Sequence, residues 1–297
     1  MSSKTAYLFP GQGSQSVGMA KDHYESNGVF KKMVDRADEL LGFKLSDIMF
    51  DGPEESLKQT EFTQPAIFLH SVALFSTLNV KPQAVAGHSL GEFSALVACG
   101  AISFEDALLI VRKRGKLMQK AGTDNPGTMA AVIGIADEKI DAICIEATQK
   151  AGKVVVPANF NSPGQVVISG YEEAIDVAVA LFTDAGAKMV KKLPVSGAFH
   201  SPLMQPAFDG LKDGLEKLSI STPICPIFSN FTAESTTEPE IIRENVLQQL
   251  MNPVKWTQTL KNMESNGFTH FVEVGPGKVL QGLVKRTISF EENIGHQ

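Results

Sequence analysis

The sequence predicts an α/β fold in two parts, a large domain and a small subdomain inserted into it near residue 126. Three observations predict this. Short β-branched or apolar runs alternate with helical patterns along most of the chain. The turn-rich stretch "AGTDNPGT" at 121–128 breaks that texture. Beyond it the order becomes strand, helix, strand, strand, helix, strand as far as Pro194, where the first texture returns.

Taken in order, Thr5–Phe9 reads as a strand. Residues 25–42 read as a helix with Phe30, Val34, Ala37 and Leu41 on one stripe, and residues 65–78 as another. "AVAGHS" is a strand and turn, and "LGEFSALVACG" a helix ending at Gly100. A helix over 103–121 has Ser103 as its N-cap and Gly122 as its stop. Then come a strand at 129–134, a helix at 137–151, strands at 153–158 and 165–169, a helix at 172–185 and a strand at 188–193. That β-α-β-β-α-β order is the ferredoxin-like pattern. After Pro194, "CPIFSN" and "FTHFVEVG" are strands and 238–263 is mainly helical. The expected division is therefore 1–125 with 195–297 as a discontinuous large domain, and 126–194 as the small subdomain.

The chain of 297 residues is 43% apolar and 20% charged, enough to build a sizeable core. A net charge of −6 argues against non-specific binding to nucleic acid. Cys99, Cys144 and Cys225 are odd in number and lack paired spacing, which suggests neither a disulfide framework nor a zinc site. The N-terminal stretch has no apolar core of signal-peptide type, and no run approaches the ~18 apolar residues that cross a bilayer. The expectation is a cytoplasmic monomer with no membrane segment, no metal and no cofactor.

The stretch "LFPGQGSQSVGM" at 8–19 places Gly11, Gly13 and Gly18 after the first strand. The third glycine comes too late for a dinucleotide-binding turn. Bare backbone N–H groups brought up to a developing anion are another use for such a turn. The nucleophile that this use requires is Ser89 in "GHSLG", a G-x-S-x-G match between a strand and a helix. The alternative is a packing turn with a capping serine.

A serine nucleophile needs a base. Of six histidines, His296 lies in the tail and His23 in a polar early helix, while His70 and His270 sit in apolar patterns as satisfied core residues. His88 adjoins Ser89, but adjacent side chains diverge, so it is given a supporting role. His200, in a loop with Gly197 and Pro202, is the remaining candidate base; otherwise it caps backbone. No aspartate stands in an evident acid loop between Ser89 and His200, so a backbone carbonyl is a candidate for fixing the imidazole tautomer.

The helix at 103–121 carries an anomaly. At about 100° per residue, Ala107, Ile110, Val111, Leu117 and Met118 form a stripe with Arg114 at its centre, and Arg112, Lys113 and Lys116 fall on the solvated side. A core-facing arginine either pairs with an internal acid or waits for a substrate carboxylate. The second reading, joined to Ser89 and His200, implies transfer of an acyl group that ends in a carboxylate.

At this point seven ordered motifs, "LFPGQGSQ", "GHSLGEFSALVACG", "RGKLMQ", "NFNSPGQVVISG", "FHSPLM", "QQLMNPVKW" and "EVGPGKVLQGL", resemble the malonyl-CoA:acyl carrier protein transacylases from about residue 5 to about 287. The resemblance implies an α/β-hydrolase-like core with a ferredoxin-like insert. It implies that Ser89 is acylated, that His200 is general base and acid, and that the backbone N–H groups of Gln12 and Leu90 form an oxyanion hole. It implies further that Arg114 binds the malonyl carboxylate, that Gln249 orients His200 through its backbone carbonyl, and that Asn159 and Asn161 line the acyl pocket. The substrates would be a coenzyme A thioester and the phosphopantetheine thiol of acyl carrier protein, and the reaction would supply fatty-acid synthesis. Phe199, before the histidine, should crowd an α-methyl branch and favour malonyl over methylmalonyl. Lys188, Lys191, Lys192, Lys285 and Arg286 are candidates for meeting an acidic carrier. The competing expectations are a serine thioesterase or editing hydrolase, and a non-catalytic docking protein.

Overall fold

The computed structural model describes residues 3–297. Among them are ten strands: β1 (Lys4–Phe9), β2 (Ala84–Gly87), β3 (Thr128–Ile133), β4 (Val155–Ser162), β5 (Gln165–Gly170), β6 (Met189–Lys192), β7 (Ile227–Phe228), β8 (Ser235–Thr236), β9 (Phe268–Val274) and β10 (Glu292–His296). One sheet has the order β10-β9-β1-β2-β7-β8 and is parallel except at its β8 edge. The other has the order β4-β5-β3-β6 and is antiparallel throughout.

The central strands of the first sheet are apolar on both faces because helices cover both. In β1, Ala6 and Leu8 face a core containing Phe228, Trp256 and Phe271, while Phe9 enters the larger core on the opposite side. In β2, Ala84 and Ala86 share the first core and Val85 the second. The antiparallel sheet is covered on one face by the helices Ile140–Ala151 and Glu172–Asp184, which bury Val132, Val166, Ile168, Ile175 and Phe182 with it. Its other face turns Met129, Ala158 and Val167 toward the main core. The predicted β-α-β-β-α-β order is the observed one, so the fold is the expected α/β core with a ferredoxin-like insert.

Several elements differ from expectation for identifiable reasons. The helix predicted over 25–42 is two, Lys21–Ser26 and Gly28–Leu41, because extended Asn27 caps the second by accepting from the N–H groups of Val29 and Phe30. Ser103 does cap its helix, but Gly122 does not stop it; the helix runs on to Asp124. A Cβ on Gly122 would lie 2.2 Å from the carbonyl oxygen of Ser196, so this glycine is required by a close approach rather than a turn. The helical stretch predicted over 238–263 is broken into Pro239–Gln248 and Trp256–Ser265. In the break, Val254 exchanges hydrogen bonds with the β4 edge, donating to Ala158 and accepting from Phe160, which ties the insert to the large sheet. Helices at Leu45–Asp51, Gln205–Glu216 and Val279–Thr287, and strand β10, stand where no element is predicted.

The turn after β2 depends on two bare backbones. A Cβ on Gly91 would lie 2.1 Å from the Phe9 carbonyl oxygen. Gly91→Ala should therefore destabilise the fold by ~3 kcal/mol, the upper range for overpacking. Chemical denaturation checks this, with Gly28→Ala, where a Cβ meets nothing within 4 Å, as the control.

Candidate active site

Ser89 stands at the turn between β2 and the Gly91–Ala98 helix, with φ of +50°. A serine in the left-handed region costs about 1 kcal/mol or more and persists only where its surroundings enforce it. Here they do. A Cβ on Gly87 would lie 1.9 Å from the Gly91 carbonyl carbon, so the turn closes only with glycine on both sides of the serine. Asn230 then clamps it. Its Nδ2 donates to the Gly87 carbonyl at 2.6 Å, and its Oδ1 accepts from the Ser89 N–H at 2.7 Å.

The opening glycine stretch lies against this turn. The His88 N–H donates to the Phe9 carbonyl at 2.9 Å, and a Cβ on Gly11 would lie 2.4 Å from the His88 carbonyl oxygen. Gly11 thus lets the chain pass close enough to bring the Gln12 backbone beside Ser89. Among the described residues, the N–H groups of Gln12 and Leu90 have no acceptor, and both residues border the same cavity as Ser89. Two unused donors beside a serine hydroxyl can receive an oxyanion.

His200 also has positive φ, +56°, and is 3% exposed. Its Nε2 lies 2.8 Å from Ser89 Oγ and its Nδ1 2.8 Å from the Gln249 carbonyl oxygen. A carbonyl can only accept, so Nδ1 carries the hydrogen and Nε2 offers its lone pair to the serine hydroxyl. Burial, then the charge of Arg114, hold the imidazole down at about 3, which keeps it neutral at ordinary pH. The backbone carbonyl occupies the place of the aspartate that the sequence lacks.

Arg114 enters from the Phe104–Asp124 helix, which packs closely on the Thr60–Thr77 helix because Gly115 meets the Thr60 carbonyl, 2.8 Å from where a Cβ would be. The guanidinium is 1% exposed. Nη1 donates to Gln64 Oε1 at 2.8 Å, and Nη2 donates to Gln249 Oε1 at 3.0 Å and to Ser89 Oγ at 3.2 Å. Every one of these acceptors is uncharged. Burial lowers the guanidinium to about 10, with the charge of Glu92 opposing, so it remains a cation. The neighbouring Arg112 corrects the sequence reading. It is not solvated: it pairs with Glu61 at 2.9 Å and lies over the rings of Phe43 and Phe62.

These groups meet at a cavity of about 270 Å³ between the two sheets. Gln12, Ser89, Leu90, Asn159, Asn161, Phe199 and His200 all border it. Arg114 and Gln249 are not on its wall; they lie one layer behind Ser89 and Gln64. Register shifts in β4 at Pro157/Asn159 and Phe160/Ser162 bracket the two asparagines. His88 has its pKa lowered by burial, and its Nε2 lies 2.8 Å from Asn161 Oδ1, so the neutral ring donates there and fixes that amide.

Two participants escaped the sequence reading. Asn230 follows β7 with no local signal. Glu92 was legible, the only charge in the buried helix "GEFSALVA". It is 1% exposed and its Oε2 accepts from Gln249 Nε2 at 2.5 Å and from the Asn230 N–H at 3.4 Å. Burial raises this carboxyl to about 7, against the hydrogen bonds of Gln249 and Asn230 and the charge of Arg114.

Other expectations need correction. His70 is buried as expected but unsatisfied: neither ring nitrogen has a partner, and burial pushes it down to about 3. His270 is no core residue; it lies 3.6 Å from Glu291 at the surface. Lys192 is engaged by Asp176 and Glu172, unlike the other proposed basic residues. Among the described residues no cluster of His, Cys, Asp and Glu could hold a metal ion, the three cysteines are buried and free, and no helix is long and apolar enough to cross a membrane.

The acyl transferase domain model matches residues 6–296. The chain is 44% identical over 287 residues to the malonyl CoA-acyl carrier protein transacylase of Bacillus subtilis, covering 96% of this chain and 90% of that one. Its counterpart in Escherichia coli is 45% identical, covering 95% and 92%. Among solved structures, an acyl carrier protein S-malonyltransferase from Vibrio cholerae superposes with a TM-score of 0.95 at 44% identity, covering 99% and 97%. A malonyl-transacylase in complex with a type II PKS acyl-carrier protein superposes at 0.93 with 41% identity, covering 99% and 94%.

The lowered His200 sets a pH expectation. The ring must be neutral to accept the Ser89 proton, so reactivity should be lost only as pH falls through its depressed value of about 3, not near the ordinary ~6.5. Acylation of Ser89 by a p-nitrophenyl ester should therefore show no acid limb between about pH 5 and 7; a limb at ~6.5 would mean an ordinary solvated imidazole.

Proposed function

The chain belongs to the acyl transferase domain family, and we propose that within it this protein moves the malonyl group from malonyl-CoA to the phosphopantetheine thiol of acyl carrier protein. It is an [acyl-carrier-protein] S-malonyltransferase that supplies fatty-acid synthesis in the cytoplasm, with no cofactor. The observation that carries this reading is a cation buried directly beneath a serine hydroxyl that is paired with a neutral histidine. The reading treats 1–125 with 195–297 as the catalytic domain and 126–194 as the subdomain that closes the cavity.

In the first half-reaction His200 Nε2 takes the Ser89 proton as Oγ bonds to the thioester carbonyl carbon. The oxyanion points to the N–H groups of Gln12 and Leu90, each such donor being commonly worth ~3 kcal/mol. The C–S bond breaks and His200 returns the proton to the leaving CoA sulfur. In the second half the carrier thiol gives its proton to His200 and attacks the ester; the proton then returns to Ser89. The Gln249 carbonyl holds the imidazole in one tautomer through both halves. The malonyl carboxylate reaches Arg114 by taking the place of the Gln64 amide oxygen, since an anion is the stronger acceptor for a guanidinium. Phe199 and the amides of Asn159 and Asn161 border the remaining space; one methyl branch crowded there is worth only ~1–3 kcal/mol of discrimination.

A hydrolase would use the same serine and histidine. The alternatives separate on CoA release from malonyl-CoA. Release should be limited to one equivalent until carrier protein is added, whereas fast release indifferent to carrier would establish hydrolysis. Arg114→Ala should lower malonyl transfer about 100-fold, the loss of ~3 kcal/mol expected for charged hydrogen bonds, while raising acetyl transfer relative to malonyl. Equal loss for both acyl groups would remove the carboxylate role. Lys191→Glu with Lys285→Glu should slow only the carrier half-reaction and weaken its salt dependence; an unchanged carrier rate would place docking elsewhere.

A further inference from the structure

Glu92 is a buried acid that the acyl-transfer steps do not use. Glu92 begins one turn after the nucleophile and is sealed from water. Its Oε2 accepts from Gln249 Nε2, which also donates to the Ser89 carbonyl at 2.9 Å, so the amide nitrogen faces Glu92 and the amide oxygen faces Arg114. A negative carboxylate, one oriented amide and a positive guanidinium thus stand in line, with no direct ion pair between the charges. Asn230, which clamps the serine turn, touches the same carboxylate through its backbone N–H.

We propose that Glu92 is the internal counter-charge of Arg114, relayed through the Gln249 amide, and that it takes up a proton when a substrate carboxylate arrives to occupy the guanidinium. This rests on the malonyl-transfer reading above. In the empty site one buried cation balances one buried anion. A guest carboxylate makes two anions for one cation in a site that excludes water, and like charges there disfavour double ionisation. The guest carboxylate is held by the guanidinium; Glu92 keeps only hydrogen bonds from uncharged groups, Gln249 and Asn230, and is the group that protonates. The surroundings contain no rival for that proton. Arg114, from the Phe104–Asp124 helix, is a permanent cation at working pH. His88 and His200, from the serine turn and from the loop after β6, are held neutral by burial. Gln249, Ser229 and Asn230 face Glu92 from the remaining elements and do not titrate. Glu92 is a positioning and specificity residue: it never touches the acyl group, and acts on it through Arg114.

The sign of the effect follows. Below about 7 Glu92 is already protonated and the guest enters freely; above it, entry requires a proton from solution. Hence KM for malonyl-CoA should rise with pH above about 7, by up to tenfold per unit, and Glu92→Gln, which keeps the shape and loses the charge, should flatten that rise whatever kcat it retains. A second measurement needs only the wild-type protein. Loading Ser89 from malonyl-CoA forms the ester, breaks the C–S bond and returns the serine proton to the CoA sulfur, so the chemistry itself consumes no proton. With a pH indicator in weak buffer at about pH 7.5, loading should take up roughly half a proton or more per site, and Glu92→Gln none. Parallel KM profiles in the two proteins, or loading without proton uptake, overturns the inference. Intact mass separates the two levels: a wild-type chain that acquires no malonyl adduct sinks the functional reading together with this one, whereas an adduct formed without proton uptake sinks this one alone.

Discussion

The centre of this structure is a positive charge held without a neutralising contact. Arg114 is sealed from water, yet its three hydrogen-bond acceptors, Gln64, Gln249 and Ser89, are all uncharged. Stripping a buried charge of its partner typically costs ~3–5 kcal/mol. Neutral amides reduce that cost by solvating the guanidinium, but they leave its charge available. On the proposed reading such a site is what a substrate carboxylate would enter, with the serine oxygen as part of its lining. The carboxylate that balances it at a distance, Glu92, is kept apart by the width of one amide.

Around that charge the chain spends its conformational strain on two residues. Ser89 and His200 both sit at positive φ, and both are over-determined by neighbours. The serine is fixed by two glycines and the Asn230 clamp, and the histidine by a hydrogen bond to a main-chain carbonyl. Gln249 joins all of these. Its carbonyl sets the imidazole tautomer, its amide nitrogen holds the serine carbonyl and Glu92, and its amide oxygen meets Arg114. One fully buried residue thus couples the orientation of the base to the placement of the cation, which is how the proposed transferase would link selection of a dicarboxylic acyl group to its attack.

The antiparallel sheet does different work. Its helix-covered face has a core of its own, while its other face packs on the main core and, with Met129, Val167 and the two asparagines, completes the cavity. The exchange of hydrogen bonds between β4 and Val254 holds that face against the large sheet. The acyl group and the pantetheine arm of the proposed substrates would therefore lie between the two sheets. A long thioester suits such a cleft, because it can enter edgewise while its reactive carbon meets the rigid turn after β2.

Much of this was legible in the chain itself, because it rests on short-range rules. The glycine-serine turn needs only its neighbours, the two periodicities separate strands from helices, and a charge on an apolar helical stripe marks Arg114 within one element. The seven motifs then assigned the family. Local rules failed where a residue's reason lies across the fold. Gly122 has the look of a helix stop but serves a close approach by Ser196, and Arg112 has the look of a solvated charge but pairs with Glu61 and lies over the rings of Phe43 and Phe62, distant in the chain. His70 follows a core pattern whose lack of a hydrogen-bond partner no sequence period reveals. By itself the sequence determined the β-α-β-β-α-β order of the insert, the glycine-serine turn and the inward arginine. Only the tertiary structure decided what faces them: the neutral amides that leave the cation available, the Asn230 clamp and the burial of Glu92. Hydrogen-bond partners more than 100 residues apart in the chain are chosen by packing, and packing is not written in any local period.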